Sequence, residues 1–273
     1  MKGSPPTAIA SLTRYLKLTI FFGGVGLHRL TAYRLDFMLG AGSFFVRVGT
    51  QAAVLMFIFR QVPVIEGWGY RQTLFLFGFS LIPRGLDHLF TDQLWEVGRK
   101  LVLTGDFHRY LIRPLGPLFG VLSERFLYPD GFGELLVGVA ITGYAGHRLG
   151  LHLSPGQLLL LPLLILSGAL IYAGIKLLLA SAAFWTTTSM PAMAATYQAS
   201  DFAAYPLEIY GTAVRRLLTW VLPFAFTSYA PVSYLLYGRT HLLVWTPLVV
   251  VVVLLLAAAA WSRGVRRYEM SGT

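Results

Sequence analysis

An all-α, polytopic membrane protein is the fold class this sequence predicts, and three observations carry that prediction. Hydrophobic residues fill 56% of the 273 positions and charged residues only 12%, against about 25% charged in soluble domains. A soluble domain so poor in charge could not cover its own surface. Mean hydropathy is +0.64, and several apolar runs reach the roughly 20 residues that cross a hydrocarbon core. Lysine and arginine gather in alternate connections, as the positive-inside rule asks of a multi-pass chain. The expected architecture is six transmembrane helices, an N-terminal interfacial helix, a cytoplasmic amphipathic helix and a broken fifth span.

The chain opens "MKGSPPTAIASLTRYLKL". Pro5 and Pro6 stand where a signal peptide would begin its apolar region, and no cleavage pattern follows. Residues 1–36 are therefore expected to form a retained cytoplasmic arm. Within it Ala8–Leu30 mixes Leu12, Leu16, Ile20 and Phe21 with Arg14 and Lys17, the pattern of a helix lying in the inner interface. Spans are predicted at Phe37–Phe59, Gln72–Phe90, Phe132–Leu151, Leu158–Trp185, Arg216–Tyr237 and Leu242–Trp261. They make residues 37–262 a transmembrane domain and leave residues 263–273 as a cytoplasmic tail.

The connection 91–117 carries "TDQLWEVGRKLVL". Leu94, Val97 and Leu101 recur at helical spacing, while Asp92, Glu96 and Lys100 follow at four-residue steps. Gly105 and Pro114 then end regular structure. A solvated connector is one reading; the length and the amphipathic strip favour a docking element.

Basic residues orient the spans. Lys2, Arg14, Lys17, Arg29 and Arg34 lie in the arm, and Arg84, Arg99, Lys100, Arg109, Arg113 and Arg125 are placed after span two. Arg215 and Arg216 precede span five, and Arg263, Arg266 and Arg267 follow span six. Only Arg60, Arg71, Arg148 and Arg239 fall on the other side, so both termini face the cytoplasm. The net charge of +10 then reports topology, and no nucleic-acid partner is expected.

Several chemistries lack their residues. No cysteine is present, which removes disulfides, thiol nucleophiles and cysteine metal sites. There is no G-x-x-x-x-G-K-[ST] stretch to cradle a nucleotide and no HExxH helix. The six histidines are scattered, and His147 and His152, five apart, do not stack on one helical face. Ser43, Ser80, Ser167 and Ser181 have no base clearly poised, except Lys176 near Ser181, whose offset turns the two apart. No catalytic residue and no metal ligand is assigned.

Arg47 and Lys176 fall within spans. Arg47 sits about ten residues into span one, near mid-membrane, where a charge must face protein or water. It either lines a polar pathway, pairs with a partner subunit, or snorkels. Lys176 is close enough to the inner end of span four for its stem to reach headgroups. Gly138, Thr142, Gly143 and Gly146 in span three, and Ala169 and Ala173 in span four, would let helices approach closely.

Span five, "LLTWVLPFAFTSYAPVSYLLYG", contains Pro223 and Pro231. Each proline removes a backbone donor and clashes one turn back, so a plain spanning helix should avoid both. Broken helices survive in lipid only where protein or water surrounds them. With Thr219, Thr227, Ser228 and Ser233 nearby to rebond carbonyls, the segment reads as a span that stops short and folds back. A merely kinked helix is the other reading. Arg47, Lys176, Thr219, Pro223, Phe224, Phe226, Tyr229 and Pro231 are the candidate path or gate residues.

Three patches resemble a known family, the permeases of ABC-2 type exporters, in their six-span, viologen-exporter-like branch. Asp201–Gly238 is similar to the segment leading into the family's fifth span, through Tyr205, Pro206, Ile209 and Tyr210, then Leu218 and Thr219, then Pro223, Phe224, Ala225, Phe226, Tyr229 and Pro231. "TGDFHRYLIRPLGPL" resembles the family's loop element at Gly105, Asp106, Leu111, Arg113 and Pro114, with Tyr110 preceding Leu111. "WSRGVRRYEMSGT" resembles its tail at Gly264, Tyr268 and Glu269, with the last residues in altered spacing.

The resemblance implies the membrane subunit of an ATP-driven exporter in the bacterial inner membrane. Two such permeases, identical or unlike, would pair in the bilayer around a central path, with separate ABC ATPase subunits docked beneath. ATP and Mg would be bound by the partner ATPase, and no cofactor is expected in this chain. Glu96, Lys100, Gly105, Asp106, Tyr110, Arg113 and Pro114 would form the coupling helix and loop against the ATPase. An amphipathic or apolar cargo, as in multidrug efflux, suits spans with aromatic and aliphatic faces. The rival readings are an ion-coupled secondary carrier or channel, which asks for paired intramembrane carboxylates or an inverted repeat, and a membrane-embedded enzyme, which asks for a convergent polar cluster.

Overall fold

The computed structural model describes residues 8–32 and 34–271. Residues 1–7, with Lys2, Pro5 and Pro6, and Gly272 and Thr273 in the expected tail, lie outside the described residues, as do the side chains of Arg29 and Arg34. Helix α1 (Ala8–Ala32) is followed by α2 (Arg34–Gln61). A tight hairpin joins β1 (Val64–Ile65) to β2 (Trp68–Gly69), pairing Val64 with Gly69 and Ile65 with Trp68. Its two turn residues, Glu66 and Gly67, have φ of 50° and 82°, as the backbone twist of a two-residue loop requires. This is the only sheet among the described residues.

Helix α3 (Tyr70–Thr91) leads from this hairpin end to the opposite, loop end. There the chain forms α4 (Leu94–Glu96), a π turn at Val97–Leu101, α5 (His108–Leu111) and α6 (Pro117–Ser123). Helix α7 (Pro129–Leu149) returns, opened by a proline in its first turn and closed by Gly150 in the left-handed region. Helix α8 (Pro155–Ser181) starts three residues before the expected Leu158. Ser154 caps it by accepting from the Gln157 amide while Gln157 accepts from the Ser154 amide. Short helix α9 (Ala183–Thr186) ends this run. Helix α13 (Thr246–Ser271) is last, and Pro247 sits in its first turn, where no intrahelical donor is lost. Pro155–Thr186 and Leu243–Glu269 are long and apolar enough to cross a membrane on length and composition alone.

Glycine sets how the helices meet. A Cβ on Gly85 of α3 would lie 2.8 Å from the Leu135 amide nitrogen, and one on Gly131 of α7 would lie 2.7 Å from the Gly85 carbonyl. Gly138, expected to admit a neighbour, faces the Gly78 carbonyl at 3.0 Å, and Gly146 faces Phe75. Gly143, expected to do the same, has open space around it. Helix α8 runs parallel to α3, with Gly168 beside Pro83, and α13 runs parallel to α8, with Gly174 beside Val253 and Gly264 beside Phe184.

The largest departure from expectation lies between Thr188 and Gly238. Helix α10 (Met190–Ala199) and 3₁₀ turns at Ser200–Ala204 and Leu207–Ile209 traverse the bundle from the loop end to the hairpin end. Thr188 Oγ1 donates to the Gly98 carbonyl at 2.8 Å at one end, and Glu208 pairs with Arg239 at 3.0 Å at the other. Helix α11 (Thr212–Arg216), a π turn at Leu217–Val221, a 3₁₀ turn at Phe224–Phe226 and α12 (Tyr229–Tyr237) then form a V. Both arms open at Glu208: Arg215 Nη2 donates to its carbonyl at 3.1 Å, and Arg239 meets its carboxylate. The segment expected as span five does stop short and fold back, but it enters from the hairpin end and returns there, and the chain crosses the bundle upstream of it. Arg215 and Arg216, expected beside the termini, sit instead at the hairpin end. The basic surplus at the loop end narrows but keeps its sign.

The interhelical contact gives a direct test. Gly85→Ala forces α3 and α7 apart and should cost about 1–3 kcal/mol by overpacking. Gly143→Ala should change stability by about 0.5 kcal/mol or less. Thermal unfolding of the detergent-solubilised chain separates the two outcomes.

Candidate functional site

Seven ionised side chains meet in the loop-end half of the bundle. Arg84 lies seven residues from the end of α3, roughly 10 Å along the axis. It was expected in the following loop, yet it is buried within the helix. Its Nε lies 3.2 Å from Glu134 of α7, and its Nη1 lies 2.6 Å from Asp201 in the traverse. Arg47 of α2 joins Glu134 at 3.0 Å. The partner anticipated in another subunit is therefore in the same chain. Arg47 also lies at the level of Arg84, since both reach the same Glu134 oxygen.

Lys176 of α8 does not snorkel. Only 3% of its side chain is exposed, and its Nζ meets Asp87 at 2.7 Å, Asp92 at 3.5 Å and Thr91 Oγ1 at 3.0 Å. Thr91 also bonds Asp87. Tyr197 of α10 links the two groups: its ring lies 5.8 Å from the Arg84 guanidinium and 5.9 Å from Lys176, and its hydroxyl meets His88. Three cations and four carboxylates thus answer one another across α2, α3, α7, α8 and the traverse. Burying one such charge unpaired would cost several kcal/mol, so each element is held in register by its partner. Ser181 Oγ is turned away from Lys176 and donates to the Leu177 carbonyl at 2.6 Å.

The tip of the re-entrant hairpin reaches the same level from the other end. Pro83, against which the tip packs, is thirteen residues from the start of α3, roughly 20 Å deep. A Cβ on Gly168 would lie 2.8 Å from both Pro83 and the Thr227 carbonyl, so the contact admits only glycine. Pro223 ends the π turn, and Phe224 packs on Tyr172 with centroids 5.4 Å apart. Thr227 Oγ1 rebonds the Phe224 carbonyl at 2.8 Å and Ser228 Oγ bonds the Ala203 carbonyl at 2.7 Å. Thr219 Oγ1 bonds the Arg215 carbonyl at 2.7 Å. Phe226 is fully buried, and Tyr229 donates to Glu208 at 2.5 Å. Pro231, expected to break a helix, stands instead in the first turn of α12, where its missing donor has no intrahelical role. From Pro223 to Ser233 the break is enclosed by protein, which satisfies the backbone rule for lipid.

At the loop end the expected coupling residues separate into two kinds. Lys100, Gly105, Asp106, Arg113 and Pro114 are exposed, and so are Leu103 and Ile112. Glu96 and Tyr110 face inward. Asp92 and Glu96, expected on a solvated strip with Lys100, are both buried. Glu96 lies within 4 Å of Arg99, Lys100 and Arg125. Tyr110 donates to Glu124 at 2.7 Å, and Glu124 also takes Arg109 at 2.9 Å and Arg113 at 3.3 Å. Burial, and then the Glu124 bond, push the Tyr110 phenol above its usual range.

Gly105, with φ of 78°, makes the sharp turn, and its carbonyl accepts from Tyr268 Oη at 2.9 Å. Phe107 packs on Phe184, Trp261 and Tyr268. The loop is therefore fastened to α9 and α13. Helix α1 lies across it: Arg14 donates to the Pro114 carbonyl at 2.9 Å, and Tyr15 packs on Phe119. Its exposed Leu16, Ile20 and Phe21 form the apolar face expected of an interfacial helix.

Sequence reasoning missed Arg84, Asp201, His88 and Tyr197. Arg84 was counted with the basic residues after span two although it falls within Gln72–Phe90, and α10 lacks the length of a span. A family model described as "ABC-2 family transporter protein" matches residues 45–272, which include the ionic network, the re-entrant hairpin and the loop. No curated protein matches the chain.

Two measurements follow from this geometry. Lys176→Met strands Asp87 and Asp92 and should cost about 3–5 kcal/mol, part of which Asp87→Asn in the same chain restores; thermal unfolding reads both. The raised Tyr110 phenol contributes its stability below about pH 10 and loses it as pH climbs further, because the unfolded phenol ionises first. Protection of the amides of residues 105–125, taken relative to their intrinsic base-catalysed exchange rates, should therefore fall above pH 10, and Tyr110→Phe should remove that fall.

Proposed function

We propose, on the premise that this chain belongs to the ABC-2 transporter family and is the membrane component of an ABC transporter, that it is an exporter permease driven by separate ATPase subunits. The single observation that carries this reading is the loop end. A folded, charged platform presents Leu103, Ile112, Asp106 and Arg113 outward while its inner face is locked to α9 and α13. Exposed apolar side chains ringed by charge are the signature of a docking surface. The phosphate-binding loop missing from this chain fits nucleotide and Mg held by another polypeptide.

In this reading six segments cross the membrane, namely α2, α3, α7, α8, the α10 segment and α13, in the manner of the six-span, viologen-exporter-like branch. The loop end faces the cytoplasm with both termini, in a bacterial inner membrane. The domains are an arm at 1–36, a transmembrane domain at 37–262 with its coupling loop at 91–117, and a tail at 263–273. A second permease, identical or unlike, completes the path. ATP-driven closure of the ATPases pushes the platform. Phe107 and Tyr268 transmit that push to α13, and the ionic network carries it to α3 and the traverse. The re-entrant tip around Pro223, Phe224 and Phe226 then moves as the gate. Such a stroke needs contacts that differ between two states, and the break between two short helices provides a place to bend.

The carrier reading finds paired carboxylates in Asp87 and Asp92, but both are occupied by Lys176. Family membership favours the ATP-driven reading.

Purification of the chain from its native membrane should bring down a Walker-type ATPase, and its consistent absence would overturn the assignment. Ile112→Glu should weaken that association about tenfold, the effect of burying a charge at an interface core, with the melting temperature unchanged. Arg113→Ala should leave assembly intact while ATP hydrolysis proceeds without export; unchanged export would remove Arg113 from the coupling element.

A further inference from the structure

We infer that the cleft at the hairpin end, between the two arms of the re-entrant V and the start of α13, binds the phosphate of a net-anionic lipid headgroup at the membrane surface. The cleft encloses about 550 Å³ and is lined by Glu208, Arg215, Arg216, Trp220, Arg239 and His241, among others. Its charge is uneven: three guanidiniums face a single carboxylate.

That carboxylate is already occupied. Glu208 Oε1 takes Arg239 Nη1 at 3.0 Å and the Tyr229 hydroxyl at 2.5 Å. Arg215 is spent on the carbonyls of Leu207, Glu208 and Tyr210, at 3.1–3.3 Å. Arg216 and His241, from the first arm and from the connection that follows α12, both line the cleft and have no side-chain hydrogen bond or ion pair with any described residue. An anion entering the cleft meets the Arg216 guanidinium and the His241 imidazole, and Arg239 adds to the positive charge of the same lining. Guanidinium groups recognise phosphate by paired N–H donors.

The apolar surroundings say how the phosphate arrives. Trp220 and Trp245 lie 6.4 Å apart at the rim and are 58% and 48% exposed. Val221 and Val244 are exposed beside them. Tryptophan rings beside an apolar surface mark the headgroup level of a bilayer. A lipid phosphate can place its headgroup in the cleft and its chains along these side chains, whereas a soluble phosphate uses the cationic walls alone. The inference needs only that the chain is membrane-embedded, and it stands whether or not the ATPase assignment does.

The test uses the full chain, purified in a nonionic detergent with whatever subunits accompany it. Short-chain phosphatidylglycerol, short-chain phosphatidylcholine and inorganic phosphate are the probes, with bound lipid counted by native mass spectrometry. The wild-type chain should retain phosphatidylglycerol about tenfold more tightly than phosphatidylcholine, and Arg216→Gln and His241→Gln should each reduce that retention several-fold to tenfold, the scale of one charge-assisted hydrogen bond. Arg263→Gln, at the opposite end, should change nothing. Displacement of the lipid by inorganic phosphate assigns recognition to the phosphate alone; persistence of the lipid, with Arg216→Gln still weakening it, assigns it to the lipid-borne group. Equal retention of the two lipids, or variants within twofold of wild type at unchanged melting temperature, overturns the inference.

Discussion

Arg84 and Lys176 are buried cations on helices that belong to a membrane component, and each is answered by carboxylates from other elements. The free energy of an unpaired charge away from water makes those answers compulsory. Glu134 fixes α7 against α3, Asp201 fixes the traverse against both, and Asp87 and Asp92 fix α8. The pairs contribute modestly to net stability, because desolvation offsets much of their attraction. What they contribute is register: sliding one helix by a turn would separate buried charges from their partners.

Close packing makes that register possible. The α3–α7 contact is lined by Gly78, Gly85, Gly131 and Gly138, so the backbones approach near enough for Arg84 to reach Glu134. The re-entrant tip obeys the same geometry, since Gly168 leaves room for the Thr227 carbonyl against Pro83. A bilayer offers no hydrophobic drive between helices, and small residues supply contact area instead. The ionic network and the tip thus meet near one level, one built from the loop end and the other from the hairpin end. Tyr197, Lys176 and Tyr172 line one small cavity together with Phe224 of the tip, so the network and the tip share a border.

The resemblance patches acquire a physical meaning in this frame. The loop and the tail, 163 residues apart, are joined by the Tyr268–Gly105 hydrogen bond. Asp201, at the start of the third patch, is the residue that pairs with Arg84. Tyr229 and Arg239 close on Glu208 and so tie the far arm of the V to the end of the traverse. Residues that resemble the family in separate stretches are therefore the ones that hold the stretches together.

Composition and periodicity determined the class, helix α1 with its exposed apolar side chains, the long helices α2, α3, α7, α8 and α13, and a backbone break at Pro223. These depend on local apolar length and on the donor that proline lacks, both visible in one dimension. Tertiary structure alone decided what those features mean. Pro223 and Pro231 carry the same local chemistry, yet one ends a π turn and the other opens a helix, because the chain reverses between them. Arg84 looked like the end of a span and Lys176 like a snorkelling side chain, since each carboxylate that neutralises them comes from a distant position or another helix. The traverse from Thr188 to Glu208 was invisible as a span because its helix is short and continues as 3₁₀ turns. It crosses the bundle only because buried partners along its length satisfy what its own hydropathy does not.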